Sequence, residues 1–378
     1  MHLLVRSIIS VVLLTLTSLS GYAQTYKVTF QLEQLPPKPA VEQVFIAGHF
    51  NNWNPSSEQF KLSLNQPLIL NLPEGIYEYK LCRGSWTTVE TRTGGKPAIN
   101  RALKVQRDTV IHLTVQDWQD NYPPPVKVHT ASRQVQLFDT SMYISQLKRT
   151  RAIRLYLPKS YTSSTKRYPV IYMHDGQNLF DAYTSSYGEW GVDEVLDSLA
   201  GENLPEAIIV GIDHGDKYRM TEYNAYDTKQ FGKGEGDAYL DFLVNTLKPL
   251  IDKKFRTLKD KSHTSIAGSS MGGLISLYAM TKYPQVFGSA GVFSPAFWLS
   301  PEINKAVTGK KFSNNRVYFI AGGLESKEMV PDMKRVFQNL KSSNPKNDLV
   351  LKVAEDGRHS EWFWHREFPD FFKWLVQK

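Results

Sequence analysis

Residues 264–282 read TSIAGSSMGGLISLYAMTK, and this stretch decides the fold. Residues 264–267 form a short apolar run typical of a strand, and residues 272–282 have the composition of a helix. The five residues between them, GSSMG, fit the pattern G-x-S-x-G with Ser270 at the centre. A sharp strand-to-helix turn strains its central residue, and the two glycines leave the room that it needs. The context therefore favours an exposed serine on such a turn over an ordinary glycine turn.

The chain after residue 134 alternates strand-like runs with amphipathic segments. This alternation predicts a mostly parallel central sheet with helices on both faces. Together with the serine turn, it predicts an α/β fold of the α/β-hydrolase type over residues 134–378. The predicted strands cover 152–157, 170–173, 207–212, 264–267, 289–293 and 317–321, and the predicted helices cover 192–198, 236–255, 272–282 and an aromatic C-terminal segment.

The preceding region contains short β-type runs separated by Pro, Asn and Gly turns. This spacing predicts a small immunoglobulin-like β-sandwich domain over residues 24–120. Residues 121–125 read NYPPP, which neither a helix nor a central strand can accommodate. We therefore place the domain boundary there, with a Pro-rich linker over residues 121–133.

The N-terminus has the features of a secretory signal peptide. Arg6 precedes an apolar run at residues 8–16, and Gly21 and Ala23 are small residues suited to a cleavage site. A spanning helix needs about 20 apolar residues, so an uncleaved anchor is the weaker alternative. We expect residues 1–23 to be removed after Ala23 and the mature protein to be secreted or periplasmic, with no membrane span.

Composition excludes several other classes of protein. The formal charge of +8 is spread along the chain, which gives no indication of nucleic-acid binding. Cys82 is the only cysteine, so an internal disulfide is excluded. No zinc-type spacing of His, Asp or Glu and no glycine-rich phosphate loop is present, and we expect neither a metal nor an organic cofactor.

A serine hydroxyl becomes a nucleophile when a base removes its proton, and this fold orders the residues as serine, acid, histidine. Only His359 and His365 follow Ser270. His359 lies between a β-type run and the final helix, where a loop would bring it to the edge of the sheet. His365 falls inside the helix, where a packing role is favoured, so we predict His359 as the base.

The acid of the site has several candidates. Glu325 follows the predicted strand at 317–321, on a loop from which a carboxylate could orient the imidazole. Asp332 and Asp356 are competitors, and an ordinary solvated carboxylate is the alternative for each. We predict Glu325.

The negative charge that develops on a carbonyl oxygen requires backbone N–H donors. Met271 begins the helix behind Ser270, so its amide is aimed at that oxygen. The second donor is expected after the strand at 170–173, where Gly176 allows close approach and the Gln177 amide is the candidate. His174 precedes the serine and is predicted to be structural.

At these residues the chain resembles the putative esterase family, the α/β-hydrolases that include esterase D, feruloyl esterases and enterochelin esterases. The resemblance rests on YMHDGQ at 172–177, GSSMGG at 268–273, SPAFW at 294–298 and GRHS at 357–360. It implies hydrolysis of carboxylic esters, with Ser270, Glu325 and His359 matched to the family triad. It also implies that Phe297 and Trp298 lie near the acyl pocket. The glutamate departs from members that use aspartate.

The β domain resembles carbohydrate-binding modules of families 48 and 20. FIAGHFNNWNP at 45–55 and YEYKLCRGSW at 77–86 are similar to their early turn and later hairpin. The resemblance implies that Trp53 and Trp86 could stack a sugar ring, since indole faces are apolar. The alternatives are that both tryptophans are core residues and that the domain is a spacer.

The sequence thus predicts an exported serine carboxylic ester hydrolase acting on feruloyl or acetyl esters of carbohydrates. A siderophore esterase is the alternative within the same chemistry. A carbohydrate-binding protein with an inactive hydrolase domain is the alternative from another class.

Overall fold

The computed structural model describes residues 24–38, 43–51, 53–123, 126–202, 204–309 and 314–377. The predicted signal peptide, residues 1–23, lies outside the described residues, as do Pro124 and Pro125 of the predicted linker. Within the described ranges, no helix is long and apolar enough to cross a membrane.

The N-terminal β domain is built from short strands in three sheets of orders β4-β1-β9, β3-β2-β5-β8 and β10-β6-β7. β1 pairs in parallel with β9 and antiparallel with β4. The strands are β1 (Thr25–Gln34), β2 (Val44–Gly48), β3 (Lys61–Leu62), β4 (Leu68–Pro73), β5 (Gly75–Cys82), β6 (Glu90–Arg92), β7 (Lys96–Pro97), β8 (Arg101–Val105), β9 (Thr109–Thr114) and β10 (Asp117–Trp118).

The core of the β domain follows from alternation along its strands. Val28, Phe30 and Leu32 occupy every second position of β1 and are buried, because successive side chains of a strand point to opposite faces. They belong to one cluster with Leu81 of β5 and the fully buried Trp118. Two sheets enclosing one apolar core make this region a β-sandwich.

The α/β domain contains eight strands and eight helices among its described residues. The strands are β11 (Val135–Ile144), β12 (Arg149–Tyr156), β13 (Val170–His174), β14 (Ile208–Ile212), β15 (Thr264–Ser269), β16 (Ser289–Phe293), β17 (Arg316–Gly322) and β18 (Asp348–Ala354). The helices are α1 (Val192–Leu199), α2 (Arg219–Glu222), α3 (Gly236–Phe242), α4 (Lys248–Lys254), α5 (Met271–Lys282), α6 (Ile303–Gly309), α7 (Met329–Ser343) and α8 (Glu361–Val376).

These strands form one sheet of order β11-β12-β14-β13-β15-β16-β17-β18. β11 and β12 are antiparallel, whereas all strands from β14 to β18 in that order pair in parallel. Every residue of β13, β14, β15 and β16 is buried, since helices cover both faces. The residues that follow β13, β15, β17 and β18 therefore meet at one edge of the sheet.

Several elements differ from the sequence-based expectation, which included none of β8, α2, α6 and α7. β11 was not predicted, because half of the residues of this edge strand are exposed and it lacks an apolar run. The helix expected at 236–255 is interrupted by a π-helical turn at Leu243–Leu247 between α3 and α4. Pro249 stands in the first turn of α4, and since proline cannot donate the regular helical hydrogen bond, the wider turn accommodates it.

The segment between the domains is held against the α/β domain. β10 ends at Trp118 and β11 begins at Val135. His129 contacts Asp181 at 2.8 Å through Nδ1 and stacks on Tyr183 with ring centroids 4.0 Å apart. The described part of the predicted linker is therefore anchored by specific contacts.

Candidate active site

Ser270 lies on a strained turn between β15 and α5. Its backbone has φ 58° and ψ −119°, which costs a non-glycine residue free energy and persists only where neighbours impose it. Its N–H donates to the Phe293 carbonyl at 2.9 Å, and its carbonyl accepts from Leu274 and Ala296 N–H at 3.1 and 3.0 Å. This is the geometry of a nucleophile elbow, and the serine is only half-buried.

Gly268 allows the backbone of the turn to pack closely against its neighbours. A Cβ atom at this position would lie 2.9 Å from Cδ2 of His174 and 3.0 Å from the carbonyl carbon of Gly272. His174 is buried, and its Nδ1 lies 2.9 Å from the Tyr239 hydroxyl. Burial lowers the pKa of His174 to about 3. His174 is therefore a neutral residue that packs under the turn.

His359 and Glu325 follow neighbouring strands and contact each other. Glu325 comes after β17 and His359 after β18, and His359 Nδ1 lies 2.6 Å from Glu325 Oε2. The parallel pairing of β15, β16, β17 and β18 brings both residues to the sheet edge that carries Ser270. Among the described residues, no hydrogen bond joins Ser270 Oγ to His359. In enzymes without bound substrate, the distance between nucleophile and base is often too long for a hydrogen bond and shortens when substrate binds.

The Glu325 carboxylate is fully buried and fixed by donors. Its side chain has an exposed fraction of 0%, and Oε1 accepts from the Gly322 N–H at 2.6 Å and from Ser294 Oγ at 2.7 Å. Ser294 Oγ in turn accepts from the indole N–H of Trp364 at 2.9 Å. These donors fix Oε1, so the network leaves Oε2 directed toward His359.

Opposing effects act on the pKa of His359. Burial lowers this pKa, but the hydrogen bond and the negative charge of Glu325 outweigh burial and raise it above the usual value. Glu78 and Glu361 act in the same direction as Glu325. Burial also raises the pKa of Glu361 to about 7. An imidazole of raised pKa is a stronger base for a serine hydroxyl.

The competing residues named from the sequence lie elsewhere. Asp332 forms an ion pair with an arginine one turn along α7. Asp356 is exposed and contacts Arg366 at 2.6 Å. His365 lies 2.6 Å from the carbonyl of Trp190 through Nδ1, which ties α8 to the segment before α1. Glu325 and His359 are the pair that the structure brings together.

Gln177 and Met271 carry the two predicted oxyanion amides. Met271 is the first residue of α5, so its N–H has no acceptor within the helix. Gln177 lies in a short 3₁₀ turn after β13, and its side-chain Oε1 accepts from the His214 N–H at 3.1 Å. A Cβ atom on the adjacent Gly176 would lie 2.7 Å from the carbonyl carbon of Gly211, so only glycine allows this approach.

The loop that carries Gln177 is held by a partly buried ion pair. Asp175 has φ 57°, and Arg219 grips its carboxylate through Nε at 2.7 Å and Nη2 at 2.9 Å. The Asp175 N–H also donates to the Tyr223 hydroxyl at 3.2 Å. Bidentate pairing of this kind fixes geometry as well as adding energy, so the ion pair holds the loop in this conformation.

Phe297 and Trp298 follow the segment that closes the elbow. Ala296, bonded to the Ser270 carbonyl, immediately precedes them. Phe297 is buried, whereas Trp298 is partly exposed. The pair therefore supplies one packed and one accessible aromatic side chain close in sequence to a residue that contacts the serine.

The tryptophans predicted to bind sugar are outside the core of the β domain. Trp86 is 43% exposed and Trp53 is half-buried, and their ring centroids lie 6.2 Å apart with planes inclined by 40°. Trp53 also meets the His49 ring edge to face at 5.6 Å. The core tryptophan is Trp118, and of the two predicted indoles Trp86 is the exposed one.

A large groove lies apart from these residues. It has a volume of about 860 Å³ and is lined by α4 and its surroundings, with Arg167, Lys253, Lys254 and Arg256 among its side chains. None of the predicted site residues lines it. Its location near the start of β13 places it away from the edge that carries Ser270.

Comparison with known proteins identifies the family. Residues 144–373, more than half of the chain, match the family described as "Putative esterase". The chain belongs to this family. The protein is therefore a carboxylic ester hydrolase, which confirms the resemblance and the enzyme class predicted from the sequence.

Individual relatives of the esterase differ in their described activities. The uncharacterized protein YbbA of Bacillus subtilis is 29% identical over 245 residues, which cover 60% of this chain and 93% of that protein. An endo-1,4-beta-xylanase/feruloyl esterase of Xylanibacter ruminicola is 27% identical over 216 residues. That match covers 56% of this chain but only 27% of the length of the relative.

A solved structure resembles both domains of the esterase together. The enterobactin esterase FES of Shigella flexneri superposes with a TM-score of 0.58 at 18% identity, covering 89% of this chain and 88% of FES. At this identity the likeness shows the fold. It confirms the predicted α/β-hydrolase fold preceded by a small β-rich domain.

Two residues of the site were not assigned from the sequence. Ser294 donates to Glu325, and Trp364 holds Ser294 in place. Ser294 opens the SPAFW motif that carries part of the family resemblance, which was a signal for its importance. Its role was hidden because a serine after a strand is a common turn residue.

Proposed function

We propose that this esterase cleaves feruloyl or acetyl esters of carbohydrates with Ser270, His359 and Glu325 as its catalytic triad. The observation that carries the proposal is an elbow serine at the same sheet edge as a histidine and a buried glutamate held 2.6 Å apart. Triad chemistry requires a fixed carboxylate that orients the base.

Acylation starts with attack of Ser270 Oγ on the ester carbonyl carbon. The hydroxyl proton passes to Nε2 of His359, whose Nδ1–H remains bonded to Glu325. The carboxylate keeps the imidazole in the productive tautomer and stabilises its cationic form. The oxyanion is bound by the N–H groups of Met271 and Gln177, which act without reorganisation because helix α5 and the Asp175 loop hold them.

Collapse of the tetrahedral intermediate breaks the bond to the alcohol oxygen, which takes the proton from His359. A water molecule then attacks the acyl carbonyl while His359 removes its proton. A second collapse releases the carboxylic acid and restores the Ser270 hydroxyl. The two half-reactions use the same base and the same oxyanion donors.

Carbohydrate esters are proposed as substrates on two grounds. One relative is described as an endo-1,4-beta-xylanase/feruloyl esterase, and the acyl part of a feruloyl ester would suit the accessible indole of Trp298, behind which Phe297 is buried. The β domain offers Trp53 and Trp86 outside its core, where their faces could contact a sugar ring.

A siderophore ester is the second candidate substrate. The enterobactin esterase of Shigella flexneri shares the arrangement of both domains over 89% of this chain. A catechol siderophore carries aromatic rings, as a feruloyl ester does, so an aromatic side chain at the site does not by itself separate the two classes. A direct comparison of rates on the two substrates decides between them.

The test of the triad is hydrolysis of p-nitrophenyl acetate and methyl ferulate by the mature protein and by Ser270→Ala. We expect turnover of both esters by the parent and a loss of about 10³-fold or more in kcat in the variant, since removal of a triad member leaves only residual catalysis. Ser141→Ala, which alters an exposed serine on β11, is the control and should keep the parent rate.

Labelling by a fluorophosphonate probe tests the nucleophile independently of substrate choice. We expect one label per chain, on the tryptic peptide that contains Ser270, and no label in Ser270→Ala. Hydrolysis that persists unchanged in Ser270→Ala would contradict the proposal. Absence of both labelling and turnover, with retained binding to xylan, would support a carbohydrate-binding protein with an inactive hydrolase domain.

Export is part of the proposal. Residues 1–23 have the charge, apolar run and small residues of a signal peptide. Expressed with its own N-terminus in a Gram-negative host, the protein should be recovered from the periplasm with an intact mass that begins at Gln24. A cytoplasmic product that retains Met1 would contradict export.

A further inference from the structure

The β domain contacts both loops that carry the acid and the base. The loop after β17, residues 323–328, holds Glu325, and its Lys327 side chain packs over Gly75 at the start of β5, with Cδ 3.4 Å from where a Cβ would stand. The loop after β18, residues 355–360, holds His359. Its Arg358 Nη1 donates to the backbone carbonyl of Asn100 in the β domain.

Asn100 links Arg358 to a buried acid of the β domain. The Asn100 side-chain N–H donates to Glu78 Oε2 at 3.2 Å, and the Glu78 backbone N–H donates to Nδ1 of His49 at 3.2 Å. A continuous chain of contacts thus runs from β5 through Asn100 to the residue that immediately precedes His359.

Glu78 is an unusual residue for a packing role. It is only 3% exposed, and its Oε1 is buried with no hydrogen-bond partner among the described residues. Leaving a buried carboxylate oxygen unpaired costs free energy that an apolar side chain would not. Glu78 lies within electrostatic range of His359 and Arg358, so its charge acts on the base as well as on the domain contact.

We propose that the β domain holds the loop that carries His359 in position, with Arg358, Asn100 and Glu78 as positioning residues for His359. The inference rests on the proposed role of His359 as the base. The β domain then contributes to the reaction itself, whichever alcohol the substrate carries. A shift of about 1 Å in a catalytic group can cost about 100-fold in rate, so loss of these contacts should lower kcat measurably.

The experiment measures kcat and KM for p-nitrophenyl acetate, a substrate too small to need the β domain for binding. In Arg358→Met we expect kcat to fall about 10- to 100-fold with KM little changed, because the base is misplaced while the acyl site is intact. Arg358→Lys should recover part of the loss. Arg335→Met removes an exposed arginine that pairs with Asp332 within α7, away from the base loop, and should behave as the parent.

A second readout separates positioning from simple packing. The charged groups that face His359 are Glu325, Glu78, Glu361 and His49. Glu78 favours the protonated imidazole, so Glu78→Gln should shift the acidic limb of kcat/KM to lower pH. A residue that only packs the domains together would leave the position of this limb unchanged.

Every outcome decides the proposal. Parent values of kcat in Arg358→Met and an unshifted limb in Glu78→Gln would overturn it. If Arg358→Met fails to fold, Asn100→Ala, which cuts the link to Glu78 but keeps the backbone acceptor, and Glu78→Gln decide in its place. Full activity in His359→Ala would instead overturn the proposed function, which distinguishes the two failures.

Discussion

Glu325, the proposed acid, shows how one side chain is fixed by its surroundings. Glu325 uses one oxygen for the Gly322 and Ser294 donors and the other for His359. Each oxygen therefore has a defined role, and the His359 ring has one favoured tautomer. A carboxylate free in solvent, such as Asp356, could not impose this orientation.

Glu325→Gln is expected to lower kcat about 10²- to 10⁴-fold, because its amide oxygen would accept from Gly322 and Ser294 and turn its NH₂ toward His359, which favours the wrong tautomer. The variant also loses the charge that raises the pKa of His359 while the lowering effect of burial remains. The base must be neutral, so the acidic limb of kcat/KM should move to lower pH.

Asp356→Asn is the matched control for this prediction. It changes an exposed carboxylate on the loop that carries His359, and it should leave both the rate and the pH profile unchanged. A limb that moved in Asp356→Asn and stayed in place in Glu325→Gln would assign the acid to Asp356.

At the scale of elements, two glycines let the acid loop and the base loop approach each other. A Cβ atom on Gly322, at the end of β17, would fall against the backbone of Gly357, and one on Gly357 would lie 2.6 Å from Cε2 of Phe363. Backbone cannot yield as a flexible side chain can. The 2.6 Å contact between Glu325 and His359 depends on this close approach.

Gly322→Ala should therefore separate the two loops. We expect the free energy of unfolding to fall by about 1–3 kcal/mol, as overpacking does, together with a loss of kcat for p-nitrophenyl acetate. Denaturant unfolding and steady-state kinetics measure the two effects. Gly201→Ala is the control, because the nearest atom to its added Cβ is 3.8 Å away. A Gly322→Ala protein with parent stability and rate would contradict this role.

The parts of the site that could be predicted from the sequence are those encoded by a short continuous segment. The strand, turn and helix around Ser270 lie within 19 consecutive residues, and the order serine, acid, histidine directed attention to Glu325 and His359. β11 was missed because an exposed edge strand has no apolar run. Ser294 and Trp364 were missed because their roles depend on where β16 ends and α8 begins in space.

At the scale of the whole molecule, contacts between distant parts of the chain were the hardest to predict. Arg358 and Asn100 are 258 residues apart, and no local pattern relates them. The same contact is one of those that join the β domain to the loop carrying His359. His49 lies within electrostatic range of His359 and packs edge to face against Trp53, so the two tryptophans lie toward the catalytic end of the β domain.

This arrangement leads to a prediction about substrate size. If the sugar of a carbohydrate ester stacks on Trp86, removal of the indole should raise KM only for substrates that carry a sugar. A stacking contribution of about 0.5–1.5 kcal/mol corresponds to a rise of about two- to tenfold in KM. We therefore expect Trp86→Ala to raise KM for a feruloylated xylo-oligosaccharide by this factor and to leave KM for methyl ferulate unchanged.

Tyr143→Ala is the matched control, since Tyr143 is an exposed aromatic residue on β11, at the far edge of the sheet. It should change neither KM. Equal rises in KM for both esters in Trp86→Ala would show a general disturbance of the site and not a sugar contact. Unchanged KM for both would remove Trp86 from substrate binding, and faster cleavage of a catechol siderophore than of either feruloyl ester would then favour the siderophore assignment. The effect of Trp86→Ala on KM for the feruloylated oligosaccharide, relative to its effect on KM for methyl ferulate, thus shows whether the β domain contacts the sugar of the substrate.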